Sequence, residues 1–315
     1  MKAWLLLTLL GAFAASLLLP LMTLVEVDRA LALAVLVELR LPRALLALAY
    51  GATLGAAGAA IQALFANPLA SPDLTGTTSG AALGAVVTAY LFGFTAPVAL
   101  SLGAVAGALG ALALLLALAG PRAETATLLL SGLAISALAG ALTTLALALA
   151  PSPFAFYDAY DWLMGSLIDR SLDQAAFAAI PALLTIALLL RLGPALDRLA
   201  LGEEVAQSLG DDIASLRRRV ICLTAFGVGA CVAICGAIGF VGLVAPIFAR
   251  RLTRGHPGRA ILSAALIGGL LLLLADLVVR LAPLGRTLPI GVVTALIGAP
   301  FFLWLVAHMR WRLGS

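Results

Sequence analysis

The sequence contains very little charge and almost no lysine. Only 11% of its 315 residues are charged, and Lys2 is the only lysine. A chain without an internal lysine has no Walker A motif for ATP phosphates. It also has no lysine for Schiff-base or general-base chemistry. The net charge of +4 comes from arginines near the predicted membrane ends, so no nucleic-acid partner is expected.

Cysteine and histidine are equally scarce. The three cysteines, Cys222, Cys231 and Cys235, lie in one apolar stretch without neighbouring histidine or acidic ligands. His256 and His308 are far apart, and neither has a partner for catalysis. We interpret the cysteines as small core residues. The sequence therefore predicts no catalytic residue, no metal site and no cofactor bound by this chain.

Apolar residues are abundant instead, at 63% of the chain, with a mean hydropathy of +1.15. A spanning helix needs about 20 apolar residues, and the alternation of a membrane β-barrel is missing. We predict an all-α polytopic membrane protein with about ten transmembrane helices in a single domain, residues 1–315. The apolar segments are 3–25, 42–65, 76–94, 97–118, 126–149, 174–192, 220–235, 240–248, 261–281 and 290–307.

Two of these segments need comment. The first resembles a signal peptide, but its apolar run continues to Val25, so we expect a retained helix. The eighth is too short to span alone and is surrounded by Gly236, Gly239 and Gly242. We predict a broken helix that lines a space enclosed by protein.

The arginines predict the orientation. With both termini cytoplasmic, thirteen basic residues face the cytoplasm and six face outward, which satisfies the positive-inside rule. Residues 201–219 then form a polar cytoplasmic loop, LGEEVAQSLGDDIASLRRR. Its two glycines, Gly202 and Gly210, bracket a short segment whose apolar residues recur at helical spacing. A short amphipathic cytoplasmic helix of this kind is typical of a surface that another protein grips.

Several blocks of the sequence resemble one family, the permease subunits of type II ABC importers for iron-siderophores, haem and vitamin B12. The blocks occur in the family's order and cover nearly the whole chain. They are RLPR at 40–43, GATLG at 51–55, QALF at 62–65, NPLA at 67–70, WLMGSL at 162–167, LGEEVAQSLG at 201–210, GAIGFVGLVAP at 236–246, ADL at 275–277 with Arg280, and LPIGVVTALIGAPFF at 288–302.

The resemblance implies a single permease domain in the bacterial inner membrane that pairs with a second copy of itself. Two cytoplasmic ABC ATPase subunits, which bind ATP and Mg²⁺, would drive it, and a periplasmic binding protein would deliver the ligand. It also implies a role for residues 201–219 as the cytoplasmic coupling loop that contacts the ATPase. The implied coupling residues are Gly202, Glu203, Glu204, Val205, Ala206, Leu209 and Gly210, with both glutamates at the rim and Val205, Ala206 and Leu209 as buried contacts.

The resemblance implies two further sites. Arg40, Arg43 and Arg280 match arginines on an exposed outer rim that meet glutamates of the binding protein. Asn67, Leu69 and Thr125 match positions that narrow the pathway at its cytoplasmic end, although Asn-Pro is also a common turn opener. For the arginines the alternatives are lipid-headgroup contact and, for Arg280, an ion pair with Asp276. Arg217, Arg218 and Arg219 are interpreted as membrane-surface anchors.

Two positions depart from the family pattern. Ile247 stands after Pro246, where a histidine is common, and Thr287 replaces a glutamate before the 288–302 block. Among substrates, iron-siderophore is ranked first, haem second and cobalamin third. The alternatives to an importer permease are a secondary transporter, a membrane-embedded enzyme and a structural scaffold. Ion-coupled transporters usually carry ionisable groups inside spans, and Asp276 is the only acid well inside one.

Overall fold

The computed structural model describes residues 2–19, 28–94, 96–120, 125–150, 152–281 and 288–313, and these residues are helical or loop throughout, without a strand. Each of the ten predicted apolar segments overlaps a helix, and residues 20–25 of the first lie outside the described residues. In chain order the helices are α1 Lys2–Leu18, α2 Arg29–Ala34, α3 Leu41–Leu64, α4 Thr77–Tyr90, α5 Pro97–Ala119, α6 Thr125–Ala148, α7 Pro153–Leu163, α8 Leu172–Leu199, α9 Glu203–Ser208, α10 Ile213–Cys235, α11 Val241–Leu252, α12 Pro257–Leu281 and α13 Ile290–Leu313.

Five of these helices are long and apolar enough to cross a membrane: α5, α6, α8, α10 and α12. Shorter apolar stretches occupy 4–18 in α1 and 290–304 in α13. A π-helical turn, Val35–Arg40, joins α2 to α3, and a 3-10 turn, Pro72–Thr75, precedes α4. The short α11 confirms that the eighth apolar segment cannot span the membrane alone.

The polar ends of two helices and two complete helices differ from the sequence-based expectation. Helix α8 continues through Arg191 and Arg198, and α10 begins before its three arginines. Charged residues continue a helix where it leaves the apolar layer, so hydropathy alone places these ends too early. Helices α2 and α7 lie between the predicted apolar segments, since α2 has only six residues and α7 contains two acids.

Helix α3 lies at the centre of the molecule and packs against α8, α10, α11 and α12. Its closest neighbour is the antiparallel α12. A methyl group on Gly51 would overlap the carbonyl oxygen of Gly268, and one on Gly55 would overlap that of Ala264. Small residues therefore allow the two backbones to touch, and the buried faces of both helices form the core.

A second seam of small residues joins α4 to α5. Gly80 and Gly84 on α4 face Gly107 and Gly103 on α5, again with overlap for any added methyl group. Helices α5 and α6 bury a smaller share of their surface than α10 and α12 do. They therefore form the apolar outside of the described structure.

The connection 236–240 is non-helical and enclosed by protein. Gly236 has φ +73° and Phe240 has φ +65°, both in the left-handed region. The Tyr50 hydroxyl donates to the Gly236 carbonyl oxygen at 3.1 Å and accepts from the Ile238 N–H at 3.3 Å. These contacts satisfy backbone groups that water cannot reach, as irregular backbone at membrane depth requires. The predicted broken helix is confirmed, and Tyr50 is the partner that the sequence pattern did not indicate.

Candidate functional site

The polar loop folds around α9, which is a helix of six residues. Gly202 precedes it with φ +114° and Gly210 follows it with φ +93°. Such positive φ values are strained for residues with a side chain, so the glycines are needed to turn the chain into and out of α9. The predicted bracketing of a short helix by two glycines is confirmed.

Two ion pairs hold the loop to the ends of its flanking helices. Arg198, at the end of α8, donates to both carboxylate oxygens of Asp211 at 2.6 Å each. These hydrogen bonds hold the pKa of the Asp211 carboxyl below its usual value. Asp212 then accepts from the Ser215 N–H at 3.1 Å and caps α10. The loop therefore leaves α8 and enters α10 through fixed contacts.

The second ion pair joins Arg217 of α10 to Glu203 of α9. The Arg217 side chain is only 13% exposed. Its interpretation as a membrane-surface anchor was therefore wrong, because its guanidinium engages the loop helix itself. The sequence could have indicated this pair, since Glu203 and Arg217 lie on either side of a short loop between two helices.

The exposed side of α9 is mixed, with two apolar residues among polar ones, and its single buried residue belongs to the chain's own core. Val205 is 43% exposed and Leu209 is 58% exposed, whereas Ala206 is 0% exposed. Ala206 packs inside its own chain, so the predicted buried contact with a partner is corrected for this residue. Glu204 lies exposed beside Val205. The exposed surface of this segment thus includes the apolar Val205 and Leu209 and the carboxylates of Glu203 and Glu204.

The loop end of the molecule is also tied to α12. The Asp197 carboxylate accepts from the Gly258 N–H at 2.8 Å, next to the start of α12. Gly193 of α8 packs directly on Gly258, where an added methyl group would meet the carbonyl carbon of Gly193 at 2.6 Å. The end of α8 is therefore fixed to the start of α12, whose other end carries Asp276 and Arg280.

At that other end, two arginines contact Asp276, and a third, Arg40, binds the same end of α1 as Arg280 does. Arg43 Nε donates to Asp276 Oδ1 at 2.6 Å, and Arg280 Nη1 lies 3.8 Å from Asp276 Oδ2. Arg40, at the end of the π-helical turn, is 9% exposed. We call Arg40, Arg43, Arg280 and Asp276 the arginine cluster. It holds three positive charges against one negative charge.

The arginine cluster also holds the end of α1. Arg40 donates to the Leu17 carbonyl oxygen at 3.0 Å, and Arg280 donates to that of Ser16 at 2.8 Å. The last carbonyl groups of a helix have no partner within it and attract cations. The arginines thus satisfy a helix end as well as a carboxylate. Their predicted position on an exposed rim is corrected, since Arg43 and Arg280 side chains are only 16% and 12% exposed.

The predicted gate residues form a turn after α3. The Asn67 side-chain oxygen accepts from the Leu69 N–H at 2.9 Å, and both residues are half-buried. The turn interpretation is confirmed, and the gate stays a prediction. Thr125 begins α6, and its side chain lies outside the described part of the chain.

The first departure from the family pattern is absorbed by packing. Ile247 is buried at 9% exposure in α11. Its neighbour Phe248 stacks on Phe301 of α13, with ring centroids 5.5 Å apart. An apolar contact between α11 and α13 thus lies beside the position where a histidine is common in the family. The second departure, Thr287, lies outside the described residues.

Comparison with known proteins gives a consistent result. The model of the FecCD transport family matches residues 3–308. The vitamin B12 import system permease protein BtuC of Vibrio cholerae is 43% identical over 282 residues, 86% of this chain and 82% of that protein. The Fe(3+)-citrate import system permease protein YfmE of Bacillus subtilis is 39% identical over 271 residues, 85% of this chain and 80% of that protein.

A solved structure shows the same fold. It is described as an inward-facing conformation of a metal-chelate type ABC transporter. The superposition has a TM-score of 0.87 at 34% sequence identity and covers 96% of this chain and 97% of that one.

Proposed function

The chain belongs to the FecCD transport family, and from this we propose that it is the membrane-spanning permease subunit of a type II ABC importer in the bacterial inner membrane. The resemblance drawn from the sequence blocks is confirmed by the family match. We further propose that a second copy of the chain completes the pathway, and that both termini are cytoplasmic. The subunit is non-catalytic, and ATP with its Mg²⁺ belongs to two partner ATPase subunits.

The proposed substrate class is a metal chelate. The two curated relatives carry vitamin B12 and Fe(3+)-citrate in their names, and the similar solved structure is a metal-chelate type transporter. Both named ligands are bulky metal complexes. The order of iron-siderophore, haem and cobalamin stays a prediction, since ligand choice belongs mostly to a separate binding protein.

The single observation that supports this function most is the form of the polar loop. An apolar pair, Val205 and Leu209, is exposed on a helix that two ion pairs and two glycines hold in place. Exposed apolar side chains on a charged cytoplasmic loop are well suited to a protein interface, whose centre is apolar and whose rim is polar. Glu203 and Glu204 form that rim, and we propose that an ATPase subunit covers the face.

The arginine cluster supports the proposed docking of a periplasmic binding protein at the other end. Its positive charge exceeds what Asp276 balances. Unbalanced charge attracts a protein with surface carboxylates and speeds its approach. Arg40, Arg43 and Arg280 are too buried for broad contact, so we propose that long-range attraction and a few charge-assisted hydrogen bonds dominate.

The proposed mechanism is alternating access. ATP-driven movement of the ATPases would pull the loop, and the Asp197 contact with Gly258 would pass the movement to α12 and its tightly packed partner α3. Packed helices move as rigid bodies. The turn at Asn67 and Leu69, together with Thr125, would narrow the cytoplasmic end of the pathway.

One observation bears on the secondary-transporter alternative. Asp276 is fully buried, and one of its oxygens accepts from Arg43 at 2.6 Å. A carboxylate held by an arginine within hydrogen-bond distance is poorly placed to exchange a proton or cation. The observation favours the importer, in which Asp276 has a structural role.

The test is ATPase activity of the copurified complex in proteoliposomes, with and without its binding protein. We compare the wild type with Glu203→Arg/Glu204→Arg. We expect the variant to lose assembly or stimulated ATPase activity, because Glu203→Arg sets two cations against each other at Arg217 and Glu204→Arg reverses the rim charge.

Two results would contradict the proposal. Full stimulated activity in an assembled variant complex would remove the coupling role of the loop. Failure of the wild-type chain to copurify any ATPase would favour the alternative that the protein is a secondary transporter.

A further inference from the structure

The last turn of α1 carries a buried serine at an otherwise apolar helix end. Ser16 is 0% exposed, and the other residues of 12–18 are apolar. A buried hydroxyl group is unfavourable unless it is hydrogen-bonded. The described partner of this hydroxyl is Arg280, whose Nη1 lies 3.3 Å from Ser16 Oγ and 2.8 Å from the Ser16 carbonyl oxygen. Ser16 therefore contacts the arginine cluster from a different helix.

Arg40 and Arg280 are anchored on α1 in the same way. Each donates from Nη1 to a carbonyl oxygen, Arg40 to that of Leu17 and Arg280 to that of Ser16. The two carbonyl groups belong to consecutive residues at the end of the helix, where carbonyl groups have no partner within the helix. The end of α1 thus fixes two guanidinium groups on neighbouring acceptors.

This anchoring leaves the same edge of each guanidinium free. Within the described part of the chain, Nε and Nη2 of Arg40 and Arg280 make no hydrogen bond, and none of these four atoms is both buried and unpaired. They are therefore reachable from the surface. The Nε–Nη2 edge presents two parallel N–H donors, a geometry that binds one carboxylate through two hydrogen bonds.

Asp276 competes with α1 for Arg280. Its Oδ2 is buried without a hydrogen bond among the described residues, and Arg280 Nη1 lies 3.8 Å away, one turn along the same helix. A buried acceptor without a donor is unfavourable, so an Arg280 that α1 did not hold would move onto Oδ2. Its positive charge would then be directed at Asp276 instead of at the surface.

We propose that Ser16 is a positioning residue for docking of the periplasmic binding protein. With the last turn of α1, it holds the free edges of Arg40 and Arg280 towards carboxylates of that protein and keeps Arg280 away from Asp276. The inference rests on the proposed docking at the arginine cluster. It gives α1 a role that its resemblance to a signal peptide does not indicate.

The first test needs no partner and compares two substitutions of nearly the same shape. Ser16→Val removes the hydroxyl group, whereas Ser16→Thr keeps it. In cryo-EM structures of the full-length permease in nanodiscs, we expect Arg280 Nη1 within about 3.2 Å of Asp276 Oδ2 in Ser16→Val. We expect the wild-type position in Ser16→Thr. Ala14→Val, which adds bulk at an exposed position of α1, is the control and should move nothing.

Two structural results would overturn the positioning role. One is an Arg280 that keeps its wild-type position in Ser16→Val. The other is an equal displacement in Ser16→Val and Ser16→Thr, since added bulk would then be the cause and not the lost hydroxyl group.

The second test measures the affinity of the same variants in nanodiscs for the binding protein of the same importer, by biolayer interferometry. We expect Ser16→Val to bind about fivefold more weakly than Ser16→Thr, the loss typical of one hydrogen bond. The difference should disappear in an Arg280→Gln background. A difference that persists there would show a merely structural serine and overturn the proposal, as would equal affinities of the two variants.

The two tests separate this inference from the proposed function. A wild-type permease that binds no periplasmic binding protein would contradict docking at the arginine cluster. The structures of the variants would still decide whether Ser16 positions Arg280.

Discussion

Arginine stands at both ends of the molecule but is used differently at each. At the loop end two arginines each have their own acid, Arg198 with Asp211 and Arg217 with Glu203. At the other end Arg43 and Arg280 share Asp276, and both side chains are mostly buried. Balanced pairs near the surface fix the shape of a loop. The unbalanced buried cluster holds α1, α3 and α12 together and carries more positive than negative charge.

The largest effect on stability is expected when Asp276, the acid shared within the arginine cluster, is removed. Asp276→Ala leaves Arg43 and Arg280 without their carboxylate, and breaking a buried pair costs about 3–5 kcal/mol. We expect a loss of this size in the free energy of unfolding, measured by SDS titration. The double change Asp276→Leu/Arg43→Met serves as control, because it removes both buried charges and should recover much of the loss. An Asp276→Ala variant as stable as the wild type would contradict the shared role.

The next largest effect concerns the exposed face of the loop end. Leu209→Asp places a charge at the centre of the proposed ATPase interface, where a hot spot contributes about 2 kcal/mol or more. We expect at least about a 30-fold weaker ATPase association, measured by titration in detergent, with unchanged thermal stability. Ser208→Asp is the control, since Ser208 is exposed on the same helix but polar. Equal losses in both variants would indicate general charge repulsion.

A smaller effect tests the excess charge of the arginine cluster. Arg40→Gln should slow association with the binding protein about tenfold at low salt and much less at high salt, because steering charges act mainly on the association rate. Stopped-flow measurements at two ionic strengths check this. Arg29→Gln, at an exposed arginine outside the cluster, should have little effect. An equal slowing by both variants would indicate that net charge alone matters.

The smallest effect is the pH response of the loop pair. Because Arg198 holds the pKa of Asp211 below its usual value, the pair contributes stability above the unfolded-state pKa and loses it only as pH falls through the lowered value. We therefore expect the stability difference between wild type and Asp211→Asn to stay constant from pH 7 to 5. Differential scanning fluorimetry measures it. A difference that disappears within this range would show that the pair is weaker than its geometry indicates.

Hydropathy alone was sufficient to locate the ten apolar segments, because a span needs a long apolar run, but it did not locate α2 or α7. It misplaced polar helix ends such as those of α8 and α10, where Arg198 and Arg217 find acids across the loop. It also missed Tyr50, which supports the broken segment, and Asp197, which contacts Gly258. Such pairs join residues far apart in the chain, and periodicity carries no information about them.

Only part of the candidate site could be predicted from the sequence. The glycine-bracketed helix followed from local turn chemistry at Gly202 and Gly210. The burial of Ala206 and of the arginine cluster did not, since exposure depends on which helix covers a residue. Motif resemblance gives a residue's place in the chain but not its accessible surface.

The contacts of α12 have a consequence for biogenesis. Helix α1 ends against Arg280, and α3 packs its glycines on α12, yet most of the chain is synthesised between α3 and α12. The first helices must therefore enter the membrane and wait, with the backbone-to-backbone faces of α3 unmatched, until the translocon releases residues 257–281. Contacts so distant in sequence make assembly slow and expose intermediates. A nascent chain stopped before Pro257 would keep the contacts of α3 with α8, α10 and α11 but expose the glycine face that packs on α12, a defect suited to recognition by membrane quality-control proteases.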